Sequence, residues 1–187
     1  LAEISNDEKI IILTFDDGTP DHHEIVYPLL MQRKMKGVFF VIAGNLDKRY
    51  GLSASQLMEM SQNGMEIGSH SYSHPFLDEM TGEEIFYELD KSKRVLSGTI
   101  GKEVSSFAPP GGWYNDLVVQ VAKNVGYTAF FSCEIGMNDL EQPAYIFKRI
   151  EVLGDMSLDE FKKLLSPPEI LGYKIKQSVK FFVHRML

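Results

Sequence analysis

Segments with the character of strands alternate with segments of helical character about six times along the 187-residue chain. The apolar run at residues 10–15 is short, unbroken and β-branched, which is typical of a strand buried on both faces of a parallel sheet. Short connections between such units require parallel strands joined by right-handed crossovers. A complete eightfold barrel takes roughly 250 residues. We therefore predict an α/β fold, a distorted and incomplete (β/α) barrel.

Hydrophobic spacing and helix-capping residues locate the individual elements. Strands are predicted over residues 10–15, 38–42, 65–68, 104–108, 127–131 and 145–152. Helices are predicted over residues 22–35, 53–63, 81–97 and 115–125, with one more after Ser157. Three of these helices open with a capping box, formed by Ser53 with Gln56, Thr81 with Glu84 and Ser157 with Glu160.

Composition limits the classes of protein and partner. The length favours a single domain over residues 1–187, and we predict a basic helical tail at about residues 166–187 packed on the barrel. A helix that docks on a membrane surface or on a partner is the alternative for this tail. The formal net charge of -7 disfavours a broad phosphate-binding surface, so nucleic acid is not expected as a partner. The single cysteine, Cys133, cannot form an internal disulfide and is expected to be a small buried hydrophobe.

No stretch of the sequence reaches the roughly 20 apolar residues that cross a bilayer, so no transmembrane segment is predicted. Cellular location and oligomeric state are not given by these features. The sequence is compatible with a secreted, cell-envelope or cytoplasmic location.

Two adjacent carboxylates, Asp16 and Asp17, follow the first predicted strand in the stretch ILTFDDG. The carboxyl ends of parallel strands are where binding and catalytic groups collect in α/β folds. An Asp-Gly pair alone is also a common turn. The location therefore favours a functional role without establishing one.

Two histidines, His70 and His74, follow the third predicted strand in the stretch GSHSYSH. Histidines four residues apart can converge from one helical turn or from a loop, and imidazole is a common ligand of zinc. Together with one carboxylate they would form an open three-ligand site. The second carboxylate would then be free to act as a general base, because the charge of the cation offsets the repulsion between the two acids.

A third stretch, SFAPPGGWYN, follows the fourth predicted strand. Pro110 stiffens the chain, and the glycines after it leave backbone amides open to a ligand, where one of them could stabilise an oxyanion. Trp113 and Tyr114 offer aromatic faces that suit the apolar faces of sugar rings, although packing is the alternative. We take Pro110, Trp113 and Tyr114 as candidate substrate-binding residues.

The motifs TFDDG, HSYSH and FAPPGG, in this order and after successive strands, resemble the first three motifs of the polysaccharide deacetylases, the NodB-homology family of carbohydrate esterases. The resemblance covers about residues 10–114 and includes GVFFV and NGMEIGSH. It implies a distorted (β/α) barrel and metal-dependent removal of acetyl groups from N-acetylated sugars. It also implies secretion or association with the cell envelope.

The resemblance assigns a role to each matching residue. Asp16 is the implied catalytic base, and Gly111 supplies the implied oxyanion amide. Asp17, His70 and His74 are the implied ligands of one divalent metal ion. Zinc is favoured, and cobalt, nickel and iron are compatible with the same ligands.

The sequence departs from the family at three motifs. Ala108 stands where the third motif usually has an arginine that pairs with the base, and the fourth-motif aspartate is not visible near Cys133. Arg149, also a candidate substrate contact, is our candidate replacement for that arginine, with a solvated surface charge as the alternative. The fifth-motif histidine is not found, and His184 in the tail is expected to have a surface or packing role.

These features predict a metal-dependent hydrolase that removes acetyl groups from N-acetylated amino sugars in a polysaccharide, oligosaccharide or glycoconjugate. A first alternative is a hydrolase of other non-peptide amides. A second is a weakly active homologue that binds glycan, because residues of the family's charged network are missing.

Overall fold

The computed structural model describes residues 10–138 and 145–164. Within these residues, six parallel strands form one sheet in the order β1-β2-β3-β4-β5-β6. The strands are β1 Leu13–Phe15, β2 Gly37–Val41, β3 Glu66–Ser69, β4 Ser106–Phe107, β5 Ala129–Phe131 and β6 Ile146–Phe147. Each strand is hydrogen-bonded to the next one along the chain, as successive crossovers of one hand require.

Helices occupy the connections between the strands. A π-helical turn at His22–Val26 leads into α1 Tyr27–Gln32, and the other helices are α2 Ala54–Gln62, α3 Gly82–Ile100, α4 Asp116–Val125 and α5 Leu158–Leu164. The predicted capping boxes at Ser53 and Thr81 are both formed. At the start of α5, the Ser157 hydroxyl accepts a bond from the Glu160 backbone N–H, and the Glu160 carboxylate accepts bonds from the Ser157 backbone N–H and hydroxyl.

The sheet curls until its last strand approaches its first. Arg149, two residues beyond β6, donates a hydrogen bond of 3.4 Å to the Thr14 hydroxyl on β1. Phe40, Phe131 and Phe147 pack against one another on the inner face, with ring centroids 5.1 Å apart in each neighbouring pair. The predicted incomplete (β/α) barrel is thus confirmed.

The main hydrophobic core lies between the outer face of the sheet and the helices. Phe39, Phe107 and Phe130 from three strands are fully buried there. Leu57 of α2 and Leu89 of α3 pack into the same cluster and are also fully buried. The helices therefore hold the sheet on one side and leave the carboxyl ends of the strands open.

Several strands are shorter in the structure than predicted. The prediction that residues 10–12 form part of a buried first strand was wrong. Ile10, Ile11 and Ile12 are 45%, 61% and 56% exposed because β2 begins at Gly37, opposite Leu13, and offers them no partner. Strand β6 ends at Phe147, since its partner β5 ends at Phe131. Helix α3 runs past the predicted end to Ile100, where Gly101 at φ 68° terminates it.

No helix among residues 10–138 and 145–164 has the length and apolar character needed to cross a membrane. The predicted basic tail and His184 lie outside the described residues.

Candidate metal and catalytic site

The residues singled out in the sequence converge at the carboxyl edge of the curled sheet. Asp16 and Asp17 follow β1, His70 follows β3, and Gly111 lies four residues beyond β4. Arg149 reaches the same edge from β6. Because all six strands are parallel, these ends meet on one side of the sheet, as the Asp and His motifs require.

Asp17, His70 and His74 form one compact group of potential metal ligands. One ligand atom from each residue lies within 4.8 Å of the other two. The Asp17 Oδ1 atom is 3.5 Å from His70 Nε2 and 3.4 Å from His74 Nε2. Two imidazoles and one carboxylate are a donor set that suits zinc and its neighbours and leaves further coordination positions open.

The orientation of His70 is set by the backbone of the neighbouring strand. Its Nδ1 atom lies 2.7 Å from the Ala108 carbonyl oxygen, which can only accept a hydrogen bond. The proton is therefore assigned to Nδ1, which leaves the Nε2 lone pair facing Asp17. Burial lowers the pKa of His70, and the neutral imidazole is the form that binds a metal. Ala108 thus fixes the tautomer of His70 through its main-chain carbonyl.

His74 completes the group from a tightly turned loop. It has a left-handed backbone conformation, with φ at 65°, and so does Asp17, with φ at 78°. The hydrogen bond between the two side chains raises the pKa of His74 and lowers the pKa of Asp17. The pair therefore favours a negative carboxylate that faces both histidines.

Asp16 is held by a two-pronged ion pair. The Arg149 guanidinium donates to Asp16 Oδ1 at 2.7 Å and to Oδ2 at 2.9 Å. Arg149 is itself fixed by a 3.0 Å bond from Nε to the Ser132 carbonyl and lies 5.5 Å over the Phe40 ring. Burial acts to lower the pKa of Arg149, but the bonds to Asp16 outweigh burial and raise it.

This ion pair has the geometry that the hypothesis for Arg149 requires. The side chain of Arg149 is 13% exposed, so it is not a solvated surface charge. Its guanidinium reaches the first-strand aspartate from the sixth strand, whereas Ala108 on the fourth-strand side has no charge to offer. The sequence separation of 133 residues explains why no local pattern identified the pair.

The loop after β4 exposes Gly111 at the same edge of the sheet, close to Phe76 and Trp113. Gly111 and Gly112 have φ values of 61° and 74°, which L-residues with a Cβ rarely adopt. A Cβ on Gly111 would lie 2.9 Å from Trp113 Cδ1, and one on Gly112 would lie 2.6 Å from Cys133 Sγ. Pro110 is buried and stiffens this turn. The loop needs both glycines in order to present its backbone at the surface.

Aromatic side chains border this loop. Trp113 and Tyr114 are half-buried, and the Tyr114 hydroxyl donates a hydrogen bond to the Glu134 carboxylate. Burial, and then the contact with Glu134, raise the pKa of Tyr114 to about 12. Tyr114 therefore acts as a neutral hydrogen-bonding and packing group near the site.

Three residues near the site differ from, or were missed by, the sequence predictions. Cys133 is exposed and lies 3.5 Å from the Arg149 guanidinium, so its prediction as a buried hydrophobe was wrong. The reason is that β5 ends at Phe131, so Cys133 lies beyond the sheet at its open edge, beside Arg149. Phe76 is 56% exposed close to Gly111, and its position directly after HSYSHP was the available signal. Glu88 on α3 accepts a hydrogen bond from Tyr72 in the histidine loop, residues 70–74. No motif in the sequence indicated that Glu88 lies near the site.

The fold and this site together define a class: a curled, parallel (β/α) half-barrel with an Asp-His-His group and an arginine-bound aspartate at its open edge. Within that class the chain belongs to the polysaccharide deacetylase family, whose profile matches residues 3–130.

Proteins similar to this chain in sequence include deacetylases from two bacteria. A peptidoglycan-N-acetylglucosamine deacetylase from Bacillus cereus is 36% identical over 126 residues, which are 67% of this chain and 57% of that protein. A chitooligosaccharide deacetylase from Azorhizobium caulinodans is 30% identical over 84% of this chain and 71% of that protein. The chain spans little more than half the length of the first Bacillus relatives that it matches.

Solved structures support the same placement. The Streptococcus pyogenes deacetylase PplD, in complex with acetate, has a TM-score of 0.80 and is 27% identical. The match covers 87% of this chain and 73% of that one.

Proposed function

We propose that this chain is a metal-dependent carbohydrate N-deacetylase that hydrolyses the acetamide of N-acetylated amino sugars. The proposal rests on one observation: a group of potential metal ligands and a separate, arginine-bound carboxylate lie at the same edge of the sheet. Asp17, His70 and His74 face one another as potential ligands, while the neighbouring Asp16 is held apart by Arg149. Family membership gives the expected reaction, and these side chains supply the groups that it needs.

The residues present fit a divalent cation. His70 offers a neutral Nε2 because Ala108 fixes its tautomer, and the Asp17 carboxylate supplies negative charge between the two imidazoles. Zinc is favoured by this donor set, with cobalt, nickel or iron compatible. When bound, the cation would polarise the acetamide carbonyl and lower the pKa of water at the site.

Asp16 is proposed as the general base. In this role its carboxylate accepts a proton from the attacking water, while the two bonds from Arg149 hold the carboxylate in a fixed orientation. Breaking the carbon–nitrogen bond then requires a proton on the departing amine. Protonated Asp16 is the donor that we assign.

Gly111 is proposed to stabilise the developing oxyanion through its backbone N–H. The neighbouring amides of Gly112 and Trp113 donate to the carbonyl oxygens of Pro109 and Pro110. The turn therefore fixes the direction of the Gly111 amide before substrate binds. A fixed donor costs no reorganisation during the reaction.

The substrate is proposed to be a carbohydrate with N-acetyl groups, with Trp113, Tyr114 and Phe76 around the opening of the site. These side chains offer apolar faces for sugar rings. Pro110 is buried and supports them as part of the loop rather than as a contact surface. Chitin-like oligomers, peptidoglycan and exopolysaccharide are all candidates of this class. We propose a location where such polymers occur, outside the cell or in its envelope.

A substrate panel tests this function. Acetate release should be measured with N-acetylglucosamine oligomers, peptidoglycan fragments and simple acetamides. We expect oligomers to be hydrolysed with a higher kcat/KM than simple acetamides, because simple acetamides have no sugar ring to contact the aromatic side chains. Equal rates on simple amides would favour the general amide hydrolase. Acetate release equal to that of Asp16→Asn, with glycan binding intact, would favour the binding module.

Replacing Arg149 with lysine tests the support of the base. Lysine keeps the charge but loses the two-pronged contact, so we expect kcat/KM for acetate release to fall by about 10- to 100-fold, the usual effect of losing such a supporting partner. Arg94→Lys is the matched control, since Arg94 is 72% exposed and pairs with Asp90 on α3. An Arg149→Lys protein as active as this control would contradict the supporting role.

A further inference from the structure

The side chain of Glu88 is buried beneath the loop that carries the two candidate metal-ligand histidines. Glu88 lies on α3 and is 5% exposed. Its Oε2 atom accepts hydrogen bonds from the backbone amides of Tyr72 at 2.9 Å and Ser73 at 2.8 Å. Its Oε1 atom accepts a bond from the Ser73 hydroxyl at 2.7 Å. All three donors belong to Tyr72 and Ser73, which lie between His70 and His74 in the chain.

The histidine loop has a backbone that needs external support. Ser71 and His74 have φ values of 62° and 65°, a region that is sterically disfavoured for residues with a Cβ. Inside the loop, the Ser71 hydroxyl accepts a bond from the His74 amide at 3.0 Å. The amides of Tyr72 and Ser73, in contrast, are bonded to a different element, α3. Such conformations persist where the surrounding structure fixes them.

Burial of the Glu88 carboxylate also favours its contact with the histidine loop. A carboxylate removed from water is destabilised unless hydrogen bonds replace its hydration. Three donors from residues 72–73 provide that replacement. Moving the loop would therefore leave both a buried carboxylate and two amides without these bonds, which opposes other loop conformations.

A second contact ties the same helix to the start of the loop. The Ser92 hydroxyl, one turn after Glu88 on α3, lies 2.7 Å from the Ser69 hydroxyl, and both residues are fully buried. Ser69 is the last residue of β3 and directly precedes His70. Helix α3 thus holds the chain on both sides of His70. The helix is anchored in turn by its capping box and by its packing in the core.

We propose that Glu88 is a positioning residue that fixes where His74 stands relative to His70 and Asp17, and that it thereby sets the affinity of the site for a divalent cation. The inference rests on the metal site of the proposed function. Glu88 does not touch the ligand atoms, and its effect passes through the backbone of residues 72–73. Supporting partners of this kind change metal affinity by about 10- to 100-fold when they are removed.

Glu88→Gln tests the proposal because glutamine has nearly the same shape but replaces one acceptor oxygen with an NH2 group. The zinc Kd should be measured by competition with a chromophoric chelator, and the visible spectrum of the cobalt-loaded protein should be recorded. We expect the Kd to rise by about 10- to 100-fold, with a changed cobalt spectrum. Glu83→Gln, an exposed glutamate on the same helix, is the control and should match the wild type.

Several outcomes separate positioning from general support of the fold. A lower Tm for the metal-free Glu88→Gln protein with an unchanged Kd and cobalt spectrum would overturn the proposal. If Glu88→Gln does not fold, Ser73→Ala tests the proposal instead. This variant removes the hydroxyl bond to Glu88 and keeps the two bonds from the backbone amides of Tyr72 and Ser73. An increase of a few fold in its Kd supports positioning, and an unchanged Kd overturns it. Wild-type protein that binds zinc but releases no acetate would defeat the proposed activity and leave this inference standing.

Discussion

Replacing Asp16 with asparagine is expected to lower kcat for acetate release by about 10²- to 10⁴-fold, the usual contribution of a general base. Asparagine fits the same space but cannot accept a proton from water. The zinc Kd should stay close to that of the wild type, because Asp16 is bonded to Arg149 and is not one of the three grouped ligands. Initial rates of acetate release at saturating substrate, with zinc in excess, measure this effect.

Two controls make the Asp16 result specific. Asp155→Asn makes the same chemical change at an exposed loop position and should leave the rate unchanged. Loss of this half-buried ion pair also weakens the fold, since it leaves Arg149 without its partner charge. Urea unfolding of Asp16→Asn should therefore accompany the kinetics. A rate within a few fold of wild type in a folded protein would contradict the assignment of Asp16 as base.

Replacing His70 with alanine is expected to abolish tight metal binding and acetate release together. The substitution removes one of the three proposed ligands, and losing a direct ligand should cost more than the roughly 10- to 100-fold typical of a supporting partner. It also leaves the buried Ala108 carbonyl without its 2.7 Å hydrogen bond. That loss costs about 1–3 kcal/mol of stability. Zinc Kd, acetate release and urea unfolding should be measured on the same preparations.

His74→Ala tests a second proposed ligand, and His23→Ala is the control for both histidine variants. The side chain of His74 is 39% exposed, so its loss should reduce metal affinity with less effect on stability than the loss of His70. His23 is bonded to Glu59 outside the ligand group, and His23→Ala should keep full metal affinity. Tight zinc binding by both folded His70→Ala and His74→Ala would contradict the Asp-His-His site.

The architecture could be predicted from the sequence because the helix-capping residues and the hydrophobic spacing agree with the fold. Ser53 with Gln56 and Thr81 with Glu84 mark helix starts that depend only on residues three positions apart. Strand lengths could not be predicted in the same way. The isoleucines before Leu13 have strand character, but pairing depends on where the neighbouring strand begins, and β2 begins at Gly37. Tertiary pairing therefore overrode local preference.

The candidate site was predictable where its residues follow strands in recognisable motifs. Asp17, His70 and His74 were found in this way, and the structure brings them together. The contact between Arg149 and Asp16 could be raised only as a hypothesis, since it depends on the curl of the sheet. Glu88 gave no signal at all. A glutamate on an amphipathic helix normally faces solvent, and only the packing of α3 shows that this one faces a loop backbone.

We propose that acetate release depends on a divalent cation bound by Asp17, His70 and His74. The most direct measurement removes metal from the wild-type protein with a chelator and then titrates zinc while following bound metal and acetate release together. We predict that the metal-free protein is inactive and that activity returns in proportion to bound zinc, reaching its limit at one ion per chain. Full acetate release by protein shown to contain no metal would contradict this dependence on a bound cation.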